Sequence, residues 1–317
     1  MKKEKKESKV SVTKNQSEKV ETTVTEKPKK RRCDRRDATR VKVTPMARLM
    51  TYLKDREDAD VYICKKVDCT NLIKYMKDKK VKEPDTTYFH AFVTAIAKVI
   101  YNRPLLNRFI VNHNFYQRDD VVISFVAKVS FEDDAKELMT LMKVDPNYNI
   151  DDIRNELKKR VDKIREGGQN SSDDSLDILD KIPSFLLKFL VVPVIKWMDH
   201  HDLLPRSLGD NLLYNSSVIV SNLGSIKCGA IYHNITDFGT NGILITIGDI
   251  HKEAVVMPDG KIEARDIVEL GCTLDERIAD GVYFSKAVNM MEYILTHPEL
   301  LEEGASVEIR EKSNFKY

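Results

Sequence analysis

Two periodicities alternate between residues 217 and 296, and they limit what the whole chain can fold into. Residues 217–221, 242–247, 252–256 and 267–273 are short apolar runs of strand character, with Pro258-Asp259-Gly260 as a turn before the last. After Asp280-Gly281 the repeat lengthens. Phe284, Ala287, Val288, Met291, Ile294 and Leu295 recur at the spacing of one helical face. Strands followed by an amphipathic helix call for a sheet with a helix laid on it.

The remainder of the chain supplies more of both elements. Met46, Leu49, Met50 and Leu53 follow Pro45 at helical spacing, residues 61–67 read as a strand, and 68–79 as a helix with Leu72, Ile73 and Met76 on one face. Residues 88–101 are apolar nearly all round, which predicts a core helix ended by Arg103-Pro104. Residues 109–111 and 121–131 are expected strands, 149–167 a charged amphipathic helix, and 167–174 a loop. The expected class is α/β with the strands mostly in one sheet.

The most apolar stretch is 182–198, interrupted by Pro183, Lys188, Pro193 and Lys196. It falls short of the ~20 apolar residues a spanning helix needs, so no membrane span is expected. A buried helical pair, or a cover over a pocket, is the expectation. Phe185, Leu186, Phe189, Leu190, Ile195 and Trp197 would then shape a pocket, or pack in the core, which is the favoured reading.

Charge is unevenly spread. Residues 1–36 hold 14 Lys/Arg against 6 Asp/Glu, whereas the remainder holds 38 against 44. This segment lacks aromatic residues and cannot bury enough apolar surface to offset its ordering entropy. We therefore expect a disordered basic tail over 1–36, one folded domain over 37–303, and a C-terminal tail over 304–317. Lys27-Pro28-Lys29-Lys30-Arg31-Arg32 offers contacts to nucleic acid or an acidic membrane surface, but a solvated extension is favoured, so nucleic acid is not the expected partner. Five cysteines without a C-x-x-C pair fit a reducing, cytoplasmic setting. His200-His201 has no evident third ligand, and no metal is expected.

Two blocks carry chemistry. Val220-Ser221-Asn222-Leu223-Gly224-Ser225 resembles the Ser-Asn-x-Gly strand end of the acyltransferase component of 2-oxo acid dehydrogenase complexes. Asp275-Glu276-Arg277-Ile278-Ala279-Asp280-Gly281 resembles that family's Asp-His-Arg-x-x-Asp-Gly, with Glu276 at the histidine position. The resemblance covers roughly residues 41–303, with a poor fit over 130–215. It implies a chloramphenicol acetyltransferase-like two-layer fold, a mixed β-sheet packed by helices. It further implies a homotrimer in which coenzyme A and an acyl acceptor meet at the subunit interface. Coenzyme A would be a substrate, and no tightly bound cofactor is expected.

By the same resemblance Ser221 donates to the oxyanion, and Asp280 pairs with a buried arginine to hold the turn, with Gly281 letting the backbone bend. Glu276, or His233 from the segment after Ser221, is the candidate base. Proton transfer from a thiol to an ordinary carboxylate costs ~3 kcal/mol more than transfer to histidine. That difference is on the order of a hundredfold in rate. The expected function is a free-standing acyltransferase acting on acyl-CoA and an unknown acceptor. The alternative is a catalytically inactive scaffold or binding protein of the same fold.

Overall fold

The computed structural model describes residues 35–128, 137–165, 182–205 and 213–310. Strand β1 (Ala38–Val41) leads to helix α1 (Pro45–Leu53), strand β2 (Asp60–Asp68), and helices α2 (Thr70–Lys82) and α3 (Tyr88–Asn102). Strands β3 (Arg108–Val111), β4 (Asn114–Arg118), β5 (Val121–Lys128) and β6 (Glu137–Val144) precede helix α4 (Ile150–Arg165). A short helical turn (Ser184–Leu186) and a wide π-helical turn (Leu187–Val191) run into α5 (Val192–His200). Strands β7 (Val218–Asn222), β8 (Ile243–Val256) and β9 (Ile262–Asp275) then lead to α6 (Gly281–Thr296).

Six strands form a mixed sheet in the order β2-β9-β8-β7-β5-β6. Strand β7 runs parallel to both neighbours, and the other pairings are antiparallel. A smaller antiparallel sheet has the order β1-β4-β3. The expected class, a mixed sheet packed by helices, is what the chain adopts.

Helices α3 and α6 cover one face of the large sheet. Ile96, Ile100, Phe284 and Met291 meet Val218, Ile243, Ile245, Leu270 and Leu274 there. Helix α3 is buried along Ala91–Ile100, as its all-round apolar sequence requires. Thr87 and His90 form a capping box at its start. Lys98 lies inside this helix, fully buried, and its Nζ donates to the carbonyls of Glu303 and Gly304 at 3.0 and 2.7 Å. Burial pulls its pKa below the ordinary lysine value.

Several elements differ from expectation. The runs at 242–247, 252–256 and 267–273 are two continuous 14-residue strands, with a register shift between Ile247 and Ile250 absorbing Gly248-Asp249. Strands β1, β4 and β6 were not foreseen. The β3–β4 hairpin turns at Asn112 and His113, both with positive φ (47° and 57°), and Asn-His is a weaker hairpin signal than Asn-Gly. The end of the expected strand at 129–131, the loop at 167–174 and residues 1–34 and 311–317 of the expected tails lie outside the described residues. Arg35 and Arg36 are held by Asp199 and Asp202, and Ala305 and Ile309 are buried against the body.

The apolar stretch does not pack in the core. Phe185, Phe189 and Trp197 are 64%, 75% and 56% exposed. Only Leu187, Val191, Ile195 and Met198 form a half-buried stripe, at the i, i+4, i+8, i+11 spacing of a single face. The stretch carries more apolar residues than one such stripe can hide. Among the described residues no helix is long and apolar enough to cross a membrane.

Candidate active site

Strand β7 ends at Ser221-Asn222, with Ser221 opposite Thr246 of β8 and Thr246 opposite Gly271 of β9. Side chains alternate along a strand, so Val218 and Val220 enter the core while Ser221 shares the other face with Thr246. After a 3₁₀ turn (Leu223–Ile226) and a left-handed Lys227, the chain folds back over that face. Thr246 Oγ1 donates to the Ile231 carbonyl at 2.5 Å, and Asp249 N to the Cys228 carbonyl at 3.0 Å.

Glycine makes this close approach possible. A Cβ on Gly224 would sit 2.6 Å from the Gly248 carbonyl oxygen, and one on Gly271 would sit 2.7 Å from that of Ile231. The glycine of Ser-Asn-Leu-Gly is therefore a packing requirement. Ser221 is half-buried, and among the described residues its hydroxyl takes no hydrogen-bond partner.

The returning segment continues toward the β2 edge of the sheet. Tyr232 meets Tyr62 edge-on at 5.3 Å, and Asn234 Oδ1 accepts from the Tyr62 hydroxyl at 2.8 Å. His233 is exposed between them, carried away from the Ser221 tip.

The second block begins at the last residue of β9. Asp275 is 2% exposed and takes a bidentate pair from Arg277, Nε to Oδ1 and Nη2 to Oδ2, each at 2.8 Å. Arg56 lies at 4.0 Å on the other side, donating to the carbonyls of Thr236 and Gly239 at 3.0 Å. Arg277 also donates to the Lys54 carbonyl at 2.8 Å. Burial works against the Arg277 guanidinium, but the hydrogen bonds and charge of Asp275 more than offset it and hold its pKa above the ordinary value. Burial prevails at Arg56 and lowers it, with Asp275 opposing. The cluster thus fixes the 275–277 turn, the 236–239 loop and residues 54–56 as one unit.

Glu276 follows on this support. Its N–H donates to the Ala59 carbonyl at 3.0 Å, and its Oε1 accepts from Lys54 Nζ at 2.5 Å, with both side chains about 38–39% exposed. Asp280 is exposed and caps α6, its Oδ1 accepting from Tyr283 N at 2.8 Å. The buried arginine partnership expected for Asp280 is held by Asp275. Asp280 stands at the N-cap, where the free helix N–H groups take its carboxylate. Gly281 is absent from the positive-φ positions and has open space around it, so its ability to turn the backbone is not called upon.

Ser221 and the 275–280 turn are not adjacent within one protomer. Two strand spacings and four residues along β9 separate Ser221 from Asp275, or about 16 Å between Cα atoms. A cavity of about 330 Å³ lies beside the turn, lined by residues including Arg56, His113, Asp199, His200 and Arg277. The ring of His113 stacks on Tyr52 with centroids 3.8 Å apart. Among the described residues no group of three His, Cys, Asp or Glu side chains is placed to hold a metal ion. Lys54 and Arg56 escaped the sequence reading because nothing local marks them. Asp275 was legible, since it opens the second block.

Residues 205–302 match the family of 2-oxoacid dehydrogenases acyltransferase (catalytic domain). A curated relative is the lipoamide acyltransferase component of the branched-chain alpha-keto acid dehydrogenase complex of Bacillus subtilis (strain 168), 25% identical over 247 residues. That match covers 76% of this chain and 47% of the relative, so the chain spans about half the length of the curated relative. Among solved structures, a probable dihydrolipoamide acetyltransferase from Listeria monocytogenes 4b F2365 is 18% identical with a TM-score of 0.55, covering 81% of this chain and 94% of that one. The cubic core of the pyruvate dehydrogenase multienzyme complex is 12% identical with a TM-score of 0.56, covering 83% and 94%. The resemblance to this family and its fold, drawn from the two motifs, therefore holds.

Proposed function

We propose that the protein transfers an acyl group to or from coenzyme A, as a homotrimeric enzyme of the cytoplasm. The observation that carries this reading is Ser221. Its hydroxyl lies at the tip of β7, beside a glycine-lined shelf, with no hydrogen-bond partner among the described residues. A donor so placed can serve an oxyanion without first breaking a bond of its own.

The chemistry is acyl transfer between thioester and acceptor. A base takes the proton of the attacking thiol, hydroxyl or amine. The freed lone pair adds to the acyl carbonyl, and the oxyanion of the tetrahedral intermediate accepts the Ser221 hydroxyl bond. Collapse re-forms the carbonyl and expels the leaving thiolate, which recovers a proton. The separation of about 16 Å between Ser221 and Asp275 exceeds hydrogen-bond reach, so joint action of the two elements on one substrate would require two subunits. Such an arrangement needs the oligomer. The multienzyme core among the structural neighbours supports an assembly of this kind. Glu276 is the candidate base on the turn, Asp280 holds the helix that follows it, and His233 is the second candidate base.

One observation favours the inactive scaffold as a second reading. The Glu276 carboxylate is already engaged by Lys54 at 2.5 Å. Purified protein given acetyl- or isobutyryl-CoA with dihydrolipoamide, thiol release being followed over time, separates the two. Catalysis predicts turnover that falls at least about a hundredfold in Ser221→Ala. Release no faster than background, with Glu276→Gln behaving as wild type, would establish the scaffold instead.

A further inference from the structure

We propose that residues 184–200 form an in-plane anchor that lays this protein on an anionic lipid bilayer. The outward side of this helical stretch shows Phe185, Leu186, Phe189, Leu190 and Trp197 to solvent. A helix with such a surface has no reason to stay in water unless something apolar covers it. It is too short and too interrupted to span a bilayer, which leaves the interface plane as the lipid geometry open to it.

Charge identifies the occupant. From residue 181 to 198 there is no Asp or Glu, and Lys181, Lys188 and Lys196 are spaced along the stretch. Lysines reach headgroups while their stems lie along apolar surface. Lys188 Nζ sits 5.6 Å from the centre of the Phe189 ring, a cation beside the apolar side.

A second, independent observation lies at the C-terminal end of the stretch. Arg35 Nη1 donates to the Asp199 carbonyl at 3.0 Å, and Arg36 Nε to Asp202 Oδ2 at 2.9 Å. Arg35 and Arg36 are thereby tied to the end of the apolar helix, and the sequence before Arg35 carries 12 Lys/Arg against 6 Asp/Glu. One weak signal rarely holds a protein to a membrane, and stable association takes two. The exposed apolar helix is one such signal, and the basic composition of the sequence before Arg35 is a second that suits an acidic leaflet. The stretch also precedes residues 205–302, the part matched by the acyltransferase family.

Trp197 is the sole tryptophan of the chain, so its fluorescence reports on this surface alone. The full-length protein is titrated with phosphatidylcholine vesicles carrying about a third phosphatidylglycerol. Trp197 emission is expected to move to shorter wavelength and to be quenched by brominated acyl chains, with pure phosphatidylcholine far less effective. Phe185→Ser with Phe189→Ser should weaken binding at least about tenfold while leaving the circular dichroism unchanged. Unchanged emission in the presence of anionic vesicles overturns the proposal. So does co-sedimentation with vesicles without an emission shift, which assigns binding to the basic segment alone. An emission shift on concentrating the protein without lipid also overturns it, because the cover is then a second copy of the chain.

Discussion

Asp275→Asn tests whether the buried cluster behind the acidic turn is a mechanical support. The substitution keeps the shape of the side chain and opens no cavity, but it removes the buried carboxylate that Arg277 and Arg56 share, at 2.8 Å and 4.0 Å. Both guanidinium side chains are about 6% exposed, so water does not replace the lost charge. Removing one partner of a buried pair costs about 3–5 kcal/mol, since the remaining charge stays dehydrated. At roughly 2 °C per kcal/mol for a domain of this size, the melting temperature should fall by about 6–10 °C. Urea unfolding should show the same loss in the midpoint with an unchanged slope. Arg277→Met on the Asp275→Asn background should recover part of it, because one orphaned cation is removed. A loss below about 1 kcal/mol would refute the reasoning and leave the cluster as an exposed-type ion pair.

The pKa of Asp60 is pushed up to about 6, chiefly by burial and then by Asp275, against the Ile235 N–H bond that favours its charged form. A carboxyl raised in the fold stabilises below its unfolded pKa of about 3.9, and that contribution is lost as pH rises through 6. Asp60→Asn should therefore stabilise at pH 7 by about 1 kcal/mol after allowing for solvent screening, with the gain gone near pH 4, as denaturation at the two pH values would read. Gly224→Ala should cost about 2–3 kcal/mol in urea unfolding, because its Cβ would meet the backbone oxygen of Gly248 at 2.6 Å. Glu276→His combined with Lys54→Met removes the 2.5 Å ion pair and supplies an imidazole. Thiol release from acyl-CoA should then rise on the order of a hundredfold, and no rise would show that position 276 is not the limiting base.

The C-terminal half was the more legible part of the fold. Short β-branched runs, a Pro-Asp-Gly turn and a 3.6-residue repeat from Phe284 to Leu295 marked strands, a turn and a helix, although the runs join into two longer strands. Strand β4 was hidden because Asn114-Phe115-Tyr116-Gln117-Arg118 is too short and polar to announce itself, and its pairing with Arg108–Val111 depends on tertiary context. Exposure of Phe185, Phe189 and Trp197 went against an expectation built on hydrophobicity alone, which reports what wants cover and not what provides it. In the candidate site Ser221, Glu276 and Asp280 were legible as motif letters. The basic residues behind the turn were not, because Lys54 and Arg56 are more than 200 residues from Glu276 and Asp275, which they meet.

Lys98 gives the architecture a closing step. Its ammonium lies within an apolar helix and is relieved by two carbonyls contributed by residues 303 and 304, more than 200 positions downstream. Burying that ammonium without those carbonyls would be costly, so the central helix and residues 303–304 depend on one another for stability. One lysine thereby makes the molecule's interior answer to its far end.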